Sequence, residues 1–119
     1  RGASTRVEVR CPDPACNPYL AFAMMLGAGL DGVRNKLEPP KSTDVNIFDM
    51  TSGEKEVAGI PSMPGSLAEA LEEFEANPLG REILGPHIFE KYREAKWREW
   101  DAFRTAVTDW EEAEYLGIY

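Results

Sequence analysis

The chain is predicted to be mainly α-helical with one N-terminal β-strand, and to be a piece of a longer polypeptide. Three observations lead there. Arg6-Val7-Glu8-Val9-Arg10 alternates strictly between polar and apolar residues, the two-residue period of a strand. Most of the chain beyond Cys16 carries helical spacing, with cap residues and prolines punctuating it. The chain does not begin with Met, and a lone strand cannot satisfy its own backbone donors and acceptors, so its sheet partners are expected in a longer polypeptide.

The strand is expected over residues 4–10. Val7 and Val9 would face an apolar layer, with Arg6, Glu8 and Arg10 on the opposite face. Cys11-Pro12-Asp13-Pro14-Ala15-Cys16 is expected to turn, because two prolines forbid both helix and ladder. Asn17-Pro18 then has the form of an N-cap followed by Pro at the first helical position, opening a helix over about 17–36. Tyr19, Leu20, Phe22, Met24, Met25, Leu26, Leu30 and Val33 lie around most of that helix, so burial on several sides is expected. Met24-Met25 reads as core rather than a cofactor box. Arg34 and Lys36 suit its C-terminal dipole, and Pro39-Pro40 stops it.

Residues 41–64 read as a long surface connection, with Val45 to Met50 as a short docked turn. The next helix is expected over about 66–76, with Ser66 and Glu69 spaced as a capping box and Leu67, Ala70, Leu71 and Phe74 on its apolar face. Leu79 to Leu84 could add a short helical turn before Gly85-Pro86. Phe89, Tyr92, Trp100, Phe103 and Val107 then mark a helix over about 87–106. Thr108 with Glu111 forms another capping box and starts a tail over 108–119, rich in Trp110, Tyr115, Leu116, Ile118 and Tyr119.

The 119 residues carry 21 acidic and 13 basic side chains, a formal charge of −8. Such a surface repels a nucleic-acid backbone, so no nucleic-acid contact is expected from this segment. The longest apolar region, Tyr19 to Leu30, is interrupted by glycines and too short for a membrane span, and no secretory signal opens the chain. Cys11 and Cys16 match no common zinc spacing, and His87 is the only histidine, so reduced thiols in a cytoplasmic protein are expected. His87, Glu72-Glu73 and Glu111-Glu112 read as surface residues.

Taken alone, Arg6-x-Glu8-x-Arg10 has two readings. A carboxylate between two guanidiniums can be a metal ligand flanked by phosphate-binding groups. It can equally be a solvated row of cross-strand charge pairs.

With its context the pattern resembles one family. Arg6-x-Glu8-x-Arg10, Pro12-Asp13-Pro14, Asn17-Pro18-Tyr19-Leu20-Ala21-Phe22-Ala23, Ala28-Gly29-Leu30-Asp31-Gly32, Pro64-x-Ser66-Leu67-x-Glu69-Ala70-Leu71 and Val107-Thr108-x-Trp110-Glu111 with Tyr115 resemble, in order, the C-terminal part of bacterial or archaeal type I glutamine synthetase. The resemblance implies that the chain is a fragment of the family's α+β catalytic domain, and it implies ATP-dependent joining of ammonia to L-glutamate through a γ-glutamyl phosphate, with divalent cations, Mg²⁺ or Mn²⁺. It implies that Glu8 ligates the metal at the ATP phosphates. It also implies that Arg6 lies near those phosphates and that Arg10 engages glutamate and the phosphoryl group in transfer. A dodecamer of two hexameric rings is implied too, the tail packing on a subunit of the facing ring; intramolecular packing of the tail is the plainer alternative.

Two positions depart from relatives. Ala3 stands where some carry a nucleotide-contacting lysine. Phe48 stands where the regulated enterobacterial form carries a tyrosine that accepts AMP, and it has no hydroxyl to modify. Two other functions remain open: a related ligase joining glutamate to a polyamine or other amine, and a non-catalytic helical oligomerisation module.

Overall fold

A computed structural model describes residues 4–118. Ala3 and Tyr119, both singled out by the sequence, lie outside the described residues. The chain divides into two units, one running to Pro64 and one from Gly65 onward.

In the first unit, residues 5–11 carry no regular secondary structure, and no strand occurs among the described residues. The predicted N-terminal strand is therefore corrected. A strand is stabilised by a ladder of inter-strand hydrogen bonds, and among the described residues no second extended segment pairs with this one. Alternation specifies which residues would share a face, but it does not supply the partner. The expected apolar layer is absent as well: Val7 is 90% exposed.

Asp13 then shapes a turn. Its carbonyl accepts from the Cys16 N–H at 3.0 Å, and its side-chain Oδ1 accepts from the Ala15 N–H at 2.7 Å. This Asx turn places Asn17 to cap helix α1, Pro18–Asn35, with Asn17 Oδ1 accepting from the Tyr19 and Leu20 N–H groups. Lys36 ends α1 in the left-handed region at φ 51°, its N–H directed to the Gly32 and Val33 carbonyls. The burial of α1 expected from its apolar residues is not found. None of its residues is buried, and Tyr19, Phe22, Leu26 and Val33 are exposed.

The stretch expected to be a long connection contains a 3₁₀ turn, Ile47–Asp49, and a short helix α2, Ser52–Val57. Thr51 caps α2 with a complete capping box: the Thr51 hydroxyl accepts from the Glu54 N–H, and Glu54 Oε2 accepts from the Thr51 N–H at 2.7 Å. Phe48 is 91% exposed on the 3₁₀ turn.

The second unit is built on an αα-hairpin. Helix α3, Leu67–Ala76, starts at Ser66, whose hydroxyl accepts from the Glu69 N–H. Glu69 reaches back one residue further than a capping box requires, accepting from Gly65 N–H at 2.8 Å. Asn77 ends α3 and caps helix α4, Pro78–Thr105, with Pro78 in the first turn. Helix α4 is broken at Gly85, where φ 74° and ψ 158° fall in a region that only glycine populates readily. Pro86 begins the second stretch, its missing N–H costing nothing at that position.

Leu71 and Phe89 are the buried apolar residues of this hairpin, each contributing about 1.5–3 kcal/mol. The Phe74 ring stacks on Phe89 at 4.7 Å and meets Tyr92 edge-on at 5.7 Å. Around this core, Trp97 Nε1 donates to Glu75 at 2.5 Å, Arg93 pairs with Glu90 at 3.3 Å, and Arg81 pairs with Glu90 across the break while lying over the Phe89 ring. Helix α5, Asp109–Tyr115, begins after Thr108, which forms a complete capping box with Glu111. Trp110, Leu116 and Ile118 remain exposed.

Candidate active-site segment

Arg6, Glu8 and Arg10 come together, and every contact is made within a short stretch of chain. Arg6 Nε donates to Glu8 Oε1 at 2.7 Å, with Arg6 Nη2 at 2.5 Å from the same oxygen. Arg10 Nη2 donates to the other oxygen, Oε2, at 2.7 Å. Arg6 Nη1 also donates to the Ser4 carbonyl at 3.2 Å, a further anchor for the guanidinium. Residues two apart in an extended chain share a side, so the three long side chains reach one another with no help from the rest of the fold.

The electrostatics arise from this geometry. The Arg10 guanidinium first, and Arg6 second, hold the Glu8 carboxyl below the usual carboxylate range. Glu8 is therefore ionised at neutral pH and presents oxygen lone pairs, the donor type a hard divalent cation prefers. As one ligand it fits such an ion. It cannot complete a shell of six oxygens, and among the described residues no group of three or more His, Cys, Asp or Glu side chains is arranged to hold a metal. The guanidiniums remain solvent-accessible at 65% and 86%, open to a phosphate or carboxylate arriving from solvent.

Asp13 is the residue that sequence reading underused. Its side chain fixes the turn joining the Arg-Glu-Arg segment to α1, and Asp with a backbone donor two residues on is the signal that points to it. Cys11 and Cys16 are both free thiols, and His87 is exposed. A hollow lined by Val107, Glu111, Glu112, Tyr115 and Leu116 lies toward the C-terminal tail.

Residues 1–115 match the sequence model of the glutamine synthetase catalytic domain. The chain belongs to this family. Glutamine synthetases that are similar to it include those of Methanocaldococcus jannaschii, 55% identical over 98% of this chain and 26% of the relative, and Thermotoga maritima, 53% identical over the same shares. The enzyme of Staphylococcus aureus is 44% identical over 100% of this chain and 27% of its own length. The chain thus spans about a quarter of the length of the curated relatives it matches.

Proposed function

We propose that this chain is part of an ATP-dependent ligase that forms L-glutamine from L-glutamate and ammonia, and that Arg6, Glu8 and Arg10 are its contribution to the active site. The observation that carries this reading is the convergence of two guanidiniums on one ionised carboxylate in a chain 44–55% identical to glutamine synthetases. Glu8 supplies one oxygen ligand to a divalent cation, Mg²⁺ or Mn²⁺. When bound, that ion neutralises phosphate charge as a Lewis acid. Arg6 binds the ATP phosphates. Arg10 binds glutamate and the phosphoryl group as it passes to the γ-carboxylate, and ammonia then displaces phosphate from the acyl phosphate. Phosphoryl transfer depends on positioning and charge neutralisation, and fixed guanidiniums beside a cation serve both.

The remaining ligands and most of the nucleotide pocket come from elsewhere in the protein. The assembly belonging to this reading is a homo-oligomer of two hexameric rings, a dodecamer. The apolar tail supports it: Trp110, Leu116 and Ile118 are each 65% exposed or more and suit contact with a neighbouring subunit. A cytoplasmic setting goes with the same reading. Among the described residues no helix is long and apolar enough to cross a membrane.

The test is glutamate- and ATP-dependent phosphate release by the full-length protein, with ammonia and with polyamines as acceptors. Ammonia-dependent release is expected, falling at least about 100-fold in Glu8→Gln, as for loss of a principal electrostatic stabiliser. Release with amines alone would assign the chain to a γ-glutamyl-amine ligase. Undiminished activity in Glu8→Gln would leave the segment with a structural role only.

A further inference from the structure

We propose that Arg6 and Arg10 mask Glu8 when no ligand is present, so that cation binding at Glu8 and anion binding at the two guanidiniums each release the other. This rests on the assignment of Glu8 as a cation ligand and adds a coupling to it. A carboxylate has two oxygens, and here each is taken by a different arginine, at 2.7 Å from Arg6 Nε and 2.7 Å from Arg10 Nη2. Oε1 holds two Arg6 nitrogens and Oε2 one Arg10 nitrogen. A hard cation seated on either oxygen therefore shares it with a guanidinium whose positive charge opposes it, and it binds more tightly once an arginine withdraws. A phosphate arriving at Arg6 Nε and Nη2 or at Arg10 Nη2 competes with Glu8 for the same donors, since carboxylate and phosphate oxygens are alternative acceptors for one planar fork.

The mask is local. All three side chains lie between Arg6 and Arg10, so it forms wherever this segment is extended and does not require the rest of the active site. It is also weak enough to open. Exposed ion pairs shift an equilibrium by up to about fivefold each, far less than a well-formed multidentate cation site gains. The segment therefore biases the order of events without blocking them. An arriving phosphate draws the arginines away and uncovers Glu8, and an arriving cation frees the arginines for phosphate.

Mn²⁺ binding to the full-length protein, metal-stripped and free of nucleotide, tests this through the electron paramagnetic resonance signal of unbound Mn²⁺. Glu8→Gln comes first and is expected to weaken one class of sites. If every class is unchanged, Glu8 is not a ligand, and the assignment fails together with the mask. The Arg6→Lys/Arg10→Lys double variant then separates the two ideas, because it keeps both positive charges but loses the planar fork. It is expected to bind Mn²⁺ about three- to tenfold tighter at the Glu8-dependent class, within the range set by two exposed pairs. Unchanged or weaker binding at that class overturns the mask while leaving Glu8 a ligand. Arg10→Lys alone, with a smaller gain expected, serves if the double variant does not assemble.

Discussion

Glu8 sits between two guanidiniums that it meets through separate oxygens, and its protonation is governed by them. Its carboxyl is held low, chiefly by Arg10 and then by Arg6. A carboxyl lowered in the ordered state stabilises that state above the free carboxylate value and loses the contribution as pH falls through the lowered one. The expected outcome, by carbon-detected NMR titration of the chain, is a Glu8 midpoint below that of an ordinary glutamate, raised more by Arg10→Gln than by Arg6→Gln. An ordinary midpoint in the unsubstituted chain would contradict the pairing. These residues are legible in the sequence because alternation alone places Arg6, Glu8 and Arg10 together, whatever the partner strand does. The same alternation misleads on Val7, since an apolar side chain needs an opposing layer and only its own direction is written in the sequence.

At the scale of elements, helix starts are the most readable feature, because a cap is a contact between residues two or three apart. Asn17, Ser66 and Thr108 each accept from the backbone of the first helical turn. Thr51-x-x-Glu54 carries the same signal as Thr108-x-x-Glu111, yet it is submerged in a stretch rich in glycine and proline that has the character of a connection. Thr108→Ala is expected to lower the stability of α5 by about 1 kcal/mol, measured as lost amide protection at Glu111. The hairpin core is less readable, since it depends on which residues of α4 oppose α3. Gly80 shows this: a Cβ there would stand 2.7 Å from Phe74 Cε2. Gly80→Ala gains at most about 1 kcal/mol in helix propensity. Against that stands a clash of about 1–3 kcal/mol with a ring pinned by Phe89 and Tyr92. Net destabilisation is expected in a urea melt monitored by helix content; stabilisation would mean that Phe74 is free to move.

For the whole molecule, the contrast lies between the two units. The unit from Gly65 onward has a small core of its own in Leu71 and Phe89, while α1 in the other leaves Tyr19, Phe22 and Leu26 in water. Periodicity reveals how apolar α1 is but not what covers it, because burial is a property of the surroundings. A chain with one proposed cation ligand among its described residues is not expected to make glutamine alone, and synthesis above background by the purified 119-residue chain would contradict the proposed sharing of the site. The most direct test is an anomalous difference map of the full-length protein crystallised with Mn²⁺ and a non-hydrolysable ATP analogue. The expected result is a Mn²⁺ peak at coordination distance, about 2.0–2.3 Å, from a Glu8 carboxylate oxygen, with Arg6 turned to the phosphates. A map with every Mn²⁺ peak away from Glu8, and Arg6 and Arg10 still paired with it, would contradict the central claim.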